Sequence, residues 1–191
     1  MTIKNDNKRE IIFEAVLVSI AKYGLNAPIS KMVKESGIST GIFYHYFDNK
    51  EMMIEELYKK LKYDFLEASL CDCDKKYTYY NQFRKIWINS VKYLVAHPNT
   101  LKFFWQFENA PQLAPQLDAI HTEKINIFVD FIKKGISEGI IKDLPLIVIS
   151  DLTIGVGMQM AKNAINGVIT LDSDLMEDLV VTSWDSIRKY N

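Results

Sequence analysis

The densest run of hydrogen-bonding and aromatic side chains lies between Gly37 and Lys50, where the chain reads GISTGIFYHYFDNK. With Ser39 to Phe47 as a helix, Phe43 and Phe47 fall four residues apart on one stripe and pack inward, with Ile42 beside them. The remaining surface offers the hydroxyls of Ser39 and Thr40, the phenol of Tyr44 and the imidazole of His45. Gly41 has no side chain, so a bulky partner can come close to the backbone. These groups donate and accept hydrogen bonds; they do not assemble a nucleophile with its base. A helix of this size fits the major groove of double-stranded DNA, where such groups reach base edges and phosphates. The expected chemistry is recognition.

Elsewhere the chain is poor in reactive constellations. Cys71 and Cys73 stand one residue apart in CDCD, too close to staple a fold, and point to a reducing compartment. Metal coordination at that pair needs two further ligands, and His45, His97 and His121 show no ligand spacing. No nucleophile–base pair, paired catalytic carboxylates or glycine-rich phosphate loop stands out. No metal and no cofactor are therefore expected, and a helical enzyme or small-molecule carrier without DNA binding is the weaker alternative. Aromatic residues crowd the stretch from Phe83 to Phe131, with Gln106, Asn109, His121 and Asn126 among them. Aromatics at helical spacing are usually core. Their density also suggests a cavity for a lipophilic or aromatic small molecule, with Trp87, Trp105, Phe107, His121 and Gln159 as its candidate wall.

Positioning these groups falls to helices. Ile12, Val16, Ser19 and Tyr23 share one stripe that Gly24 closes, and a short segment after Pro28 ends at Gly37. Ser39 is the expected cap of the next helix, and Asp48 with Glu51 forms a capping-box-like start to a helix reaching Leu70. Phe83, Ile86, Trp87, Val91 and Leu94 form a stripe that stops at Pro98. Helices follow over Thr100 to Glu108, through Ile120, Ile127, Phe131 and Ile136, over Leu144 to about Asn166, and after Asp172 or Asp174. There is no strand alternation and no internal repeat. The chain reads as all-α, with roughly nine helices.

Composition narrows the class further. The 191 residues carry 23 Lys+Arg and 24 Asp+Glu, for a net charge of -1, with 48 % hydrophobic and 25 % charged residues. That balance excludes intrinsic disorder, which pairs low hydrophobicity with high net charge. The near-neutral total hides a split. Residues 1–50 hold seven Lys or Arg and five Asp or Glu, a net +2, leaving 16 and 19, a net -3, for the rest. The basic excess lies where DNA contact is expected. The polar start MTIKNDNKRE lacks a signal-peptide core, and the most apolar stretch, Leu144 to Ala161, is interrupted by Asp151. The reading is cytoplasmic, with no membrane partner.

The segment GISTGIFYHYFDNKEMM resembles the signature of the TetR family of bacterial transcriptional regulators. The resemblance extends back through IIFEAVLVSIAKYGL, which is similar to that family's first helix, and covers about the first quarter of the chain. It implies a three-helix helix-turn-helix DNA-binding domain over residues 1–50 and a helical ligand-binding and dimerisation domain over 51–191. Gly37 matches the turn glycine and Ser39 to Phe47 the recognition helix. Thr40, Tyr44 and His45 match positions that touch DNA, with Ser39 and Gly41 beside them, and Lys50 matches a phosphate-contacting lysine. Pro28 stands where a Thr commonly caps the second helix, which leaves Ser30 as the alternative cap and a further DNA-facing group.

The last two helices carry small or apolar residues on repeated faces: Gly155, Met158, Ala161 and Ile165, then Leu179 and Trp184. The resemblance makes them a homodimer interface, so that two recognition helices about 34–36 Å apart read successive major grooves of a pseudo-palindromic operator. It also implies a repressor released by a small-molecule effector.

Overall fold

The computed structural model describes residues 3–34, 37–74, 76–110 and 123–190. They form the helices α1 (Ile3–Tyr23), α2 (Ile29–Lys34), α3 (Thr40–Tyr46), α4 (Lys50–Leu70), α5 (Tyr79–Ala96), α6 (Pro98–Glu108), α7 (Glu123–Ser137), α8 and α9 (Ser173–Ile187). Helix α8 runs without a break from Leu146–Ser150 through a π turn, Asp151–Gly155, into Val156–Ile165. The all-α expectation is borne out. Among the described residues there are nine helices, no strand, and an isolated bridge between Ile141 and Arg188.

Helix ends follow local chemistry. Gly24 (φ 85°) closes α1 and Gly37 (φ 71°) turns the chain between α2 and α3, a region costing other L residues about 1–2 kcal/mol. Ser39 caps α3 by accepting the Ile42 N–H at 3.2 Å. Three expected starts are corrected or settled. Asn49, not Asp48, caps α4, its Oδ1 accepting the Met52 N–H at 2.8 Å. Ser30 lies exposed inside the first turn of α2, whose opening N–H groups, from Lys31 and Met32, are taken by the Pro28 carbonyl. Asp172 caps α9 through the Leu175 N–H at 2.9 Å.

The chain divides into two compact units. One holds the residues up to Lys62 together with α6 from Asn99; the other holds Tyr63–Pro98 and α7 to α9. In the first, Ile12, Val16 and Ile20 of α1 share a core with Phe43, Phe47, Leu57 and the α6 residues Phe103, Phe104 and Phe107. The Phe47 ring sits 5.5 Å from those of Phe13 and Phe43, and Tyr58 stacks on Phe107 at 4.1 Å. Arg9 pairs with Glu56 and lies over the Phe47 ring at 4.8 Å, joining α1 to α4.

In the second unit α5 is the central element, packed against α8 and α9. Its buried stripe is the one expected, Phe83, Ile86, Trp87, Val91 and Leu94. Gly157 lets α8 come close: a Cβ there would lie 2.9 Å from Val91. At the π turn the Thr153 carbonyl accepts the Trp87 indole N–H at 3.1 Å, while the Thr153 hydroxyl donates to the Ile149 carbonyl at 2.6 Å. The Thr153 carbonyl also accepts the Val156 N–H, so the indole from α5 is a second donor to it where the helix widens.

Candidate functional site

Helix α3 is built as a two-sided element. Phe43 is fully buried and Phe47, its C-cap, nearly so, and together they fix the helix to the core of the first unit. Ser39, Thr40, Gly41, Tyr44 and His45 all lie exposed on the other side, and Tyr44 is 55 % accessible. The Tyr44 ring meets Phe43 edge-on at 5.3 Å and His45 meets Tyr46 at 5.1 Å, contacts that restrict where the phenol and imidazole stand. This short helix and its cap thus display two hydroxyls, a phenol and an imidazole to solvent, with a glycine between them. Ser30, on α2, is also exposed.

Lys50 opens α4 and is half-buried. Desolvation pulls its ammonium below lysine's ordinary range, and the carboxylate of Glu51 pulls the other way. Ile42 corrects an expectation. It is 40 % exposed, not packed inward, because Phe43 and Phe47 occupy the inward stripe and Ile42 sits about 100° round the helix from Phe43. An exposed isoleucine on this face is a natural contact for a thymine methyl. Its one-residue offset from the stripe was the available signal. At the end of α1, Lys31 places its ammonium 3.8 Å from the Tyr23 ring centroid.

The described residues of the expected cavity wall are divided between the two units. Trp87 is fully buried with its N–H engaged by Thr153, so it is core of the second unit. Phe107 is fully buried in the first unit under Tyr58. Trp105 belongs to that same unit and is exposed, whereas Gln159 is in the second, half-buried and donating to Asn163 at 3.1 Å. His121 lies outside the described residues. The helical spacing of these aromatics served packing, as it does in most proteins.

A concave site does exist in the second unit. Between α5 and the start of α9 lies a groove of about 820 Å³. Its apolar lining comes from Ile88, Val91, Val95 and Met176, and Lys85 and Lys92 line it from α5. Arg84 and Glu177 bridge the two helices with paired contacts, Nε donating to Oε2 at 2.7 Å. That hydrogen bonding holds the Glu177 carboxyl below its ordinary range, against the opposing effect of partial burial. The groove combines a greasy lining with ammonium groups from α5, and the other lining carboxylate, Asp172, is engaged in capping α9, a pattern suited to an amphipathic anion. Sequence periodicity missed it because its lining is mostly the half-exposed flank of α5, not the buried stripe.

Of the residues expected at a dimer interface, Ala161 and Trp184 are buried within the unit itself, Trp184 against Phe83 at 5.2 Å. Gly155, Met158, Ile165 and Leu179 are half-exposed. More apolar surface lies nearby at Ile147, Val148, Leu152 and Val181, of which Ile147 is 66 % exposed.

Comparison with known proteins places this geometry. Residues 12–57 match the family described as bacterial regulatory proteins, tetR family, and residues 78–188 match the tetracyclin repressor-like C-terminal domain. An HTH-type transcriptional regulator of Haemophilus influenzae is 25 % identical over 181 residues, covering 94 % of this chain and 95 % of that protein. The crystal structure of a TetR family transcription regulator from Marinobacter aquaeolei superposes with a TM-score of 0.92 over the full length of both chains, at 17 % identity. The Bacillus subtilis regulator FadR, solved in complex with stearoyl-CoA, gives a TM-score of 0.74 at 21 % identity, over 93 % of this chain and 98 % of that one. The carboxy-terminal match alone spans more than half of the residues. With a helix-turn-helix whose reading face is open and both domains matched, the chain belongs to the TetR family of DNA-binding bacterial transcriptional regulators.

Proposed function

We propose that this regulator is a homodimeric repressor that leaves a pseudo-palindromic operator when a lipophilic, anionic effector binds it. The reading rests on one observation above the others: α3 buries Phe43 and Phe47 while presenting Thr40, Tyr44 and His45 to solvent. DNA contact belongs to residues 1–50, with Thr40, Tyr44 and His45 at bases and Ser30, Ser39 and Lys50 at phosphates. Ligand binding and dimerisation belong to residues 51–191. The dimer forms through the half-exposed residues of α8 and α9 named above together with the exposed Ile147, Val148, Leu152 and Val181 beside them. The effector binds the groove between α5 and α9, where its apolar lining takes a hydrocarbon chain and Lys85 and Lys92 face the anionic end. The complex of FadR with stearoyl-CoA supports a fatty acyl thioester as the first candidate. The protein acts by binding, not as an enzyme, and it acts in the cytoplasm. Helix α4 carries the chain from one unit to the other, and effector and DNA binding oppose each other reciprocally.

The test is selection of duplexes from a random pool by the purified protein, followed by titration of the complex with stearoyl-CoA, palmitoyl-CoA and free coenzyme A. The acyl thioesters should release the DNA and coenzyme A alone should not. A complex unmoved by every acyl thioester sinks the effector assignment; failure to select any duplex sinks the DNA reading.

A further inference from the structure

The end of α1 is held by a side chain from far along the chain. Gln106, on α6, donates from Nε2 to the Ile20 carbonyl at 3.1 Å and accepts the Leu25 N–H on Oε1 at 3.0 Å. A helix terminus leaves carbonyls unsatisfied, and the N–H beyond a left-handed glycine also needs a partner. The Ile20 carbonyl already accepts the Gly24 N–H at 2.9 Å; the Gln106 carboxamide adds a second donor to it and takes the Leu25 N–H, spanning the Gly24 turn with a donor and an acceptor, a pairing that the amide side chains carry in fixed geometry. Gly24 lies in ordinary contact with it: a Cβ there would stand 3.5 Å from the Gln106 Oε1.

What Gln106 holds is the approach to the recognition helix. Leu25 and Ala27 are buried immediately after the clamp, α2 begins two residues later, and α2 packs on both α1 and α3. Helix α6 is anchored in the same unit by Phe103, Phe104 and Phe107, all but fully buried. Its first residues follow α5 through His97 alone, so α6 is the chain's second entry into this unit, after the run that ends within α4. We propose that Gln106 is a positioning residue for DNA binding: its carboxamide fixes the α1–α2 turn, and thereby α2 and α3, to the place of α6. The role rests on α3 being the helix that reads DNA. It makes operator affinity depend on a residue that touches no nucleotide.

The test uses the full-length protein and a duplex that the wild type selects from a random pool. Gln106→Met keeps the length of the side chain and removes both hydrogen bonds; Gln106→Glu keeps the acceptor and loses the donor at neutral pH. Both are checked for fold and oligomeric state by circular dichroism and sedimentation. Gln106→Met should bind the duplex about tenfold more weakly, because it takes away the acceptor of the Leu25 N–H, and Gln106→Glu should also weaken, because it sets a carboxylate oxygen against the Ile20 carbonyl in place of a donor. A folded Gln106→Met protein with wild-type affinity overturns the proposal. Should neither variant fold, hydrogen exchange on the wild type decides. Saturating duplex should slow exchange at the Leu25 amide more than at Val16 in the middle of α1, and equal changes at both overturn the proposal. A wild type that selects no duplex at all refutes the DNA-binding assignment instead, a distinguishable result.

Discussion

At the scale of single residues, the exposed polar face of α3 separates recognition from stability. Tyr44 and His45 are exposed, and their ring contacts are with adjacent residues of α3 itself, so Tyr44→Ala with His45→Ala should leave the melting temperature nearly unchanged. Operator affinity should fall by about 1–3 kcal/mol for each base-reading side chain removed, measured by fluorescence anisotropy. Lys50→Ala should weaken binding to all sequences alike and flatten the salt dependence by about one unit of slope for each phosphate no longer neutralised. Trp87 behaves in the opposite way. Trp87→Phe retains a ring but leaves the Thr153 carbonyl without its indole donor, and should cost about 1–3 kcal/mol in denaturant unfolding. DNA affinity per folded molecule should stay constant.

At the scale of elements, sequence pattern was a good guide wherever a helix has one wet side. Helix α3 was readable almost to the residue, because Ser39, Gly37 and the Phe43–Phe47 pair are local signals. Asn49 took the capping role expected of Asp48, since two adjacent cap formers differ only in the exact start of the helix. The ligand site was much less readable. Trp87 and Phe107 look identical as letters to pocket residues, and only packing shows them filled on all sides. Lys85 and Lys92, at the groove, carry no local signal that separates them from solvated lysines. Reversing them, with Lys85→Glu and Lys92→Glu together, should raise the acyl thioester concentration needed to release DNA by about tenfold or more. The ion pair between Arg84 and Glu177 is surface-exposed, so Glu177→Gln should cost no more than about 1 kcal/mol. Because the Glu177 pKa is lowered in the folded state, that contribution is present above the ordinary carboxylate range and disappears as the pH falls through the lowered value.

At the scale of the whole molecule, near-neutral charge is compatible with reading DNA because the basic excess is confined to the first fifty residues. The proposed homodimer presents α3 twice, which makes dimerisation a requirement for tight binding on that reading. Ile147→Asp with Leu152→Asp should give a folded monomer in sedimentation, with operator affinity reduced by more than any single substitution on α3 achieves. A dimer that survives both substitutions moves the interface away from α8. The π turn bears on that same helix. It carries one more residue than an α turn, so the exposed Ile147 lies before the offset and Gly157, facing Val91, lies after it. A wider turn advances each residue by less than the roughly 100° of an α-helix, so the surplus residue is absorbed within the turn and the helix beyond it keeps its phase. Deleting a single residue within Asp151–Gly155 should therefore restore a regular helix with Gly157 still against Val91, losing only the local geometry that receives the Trp87 indole. The turn is thus the one place along α8 where a change of length need not rotate its far end.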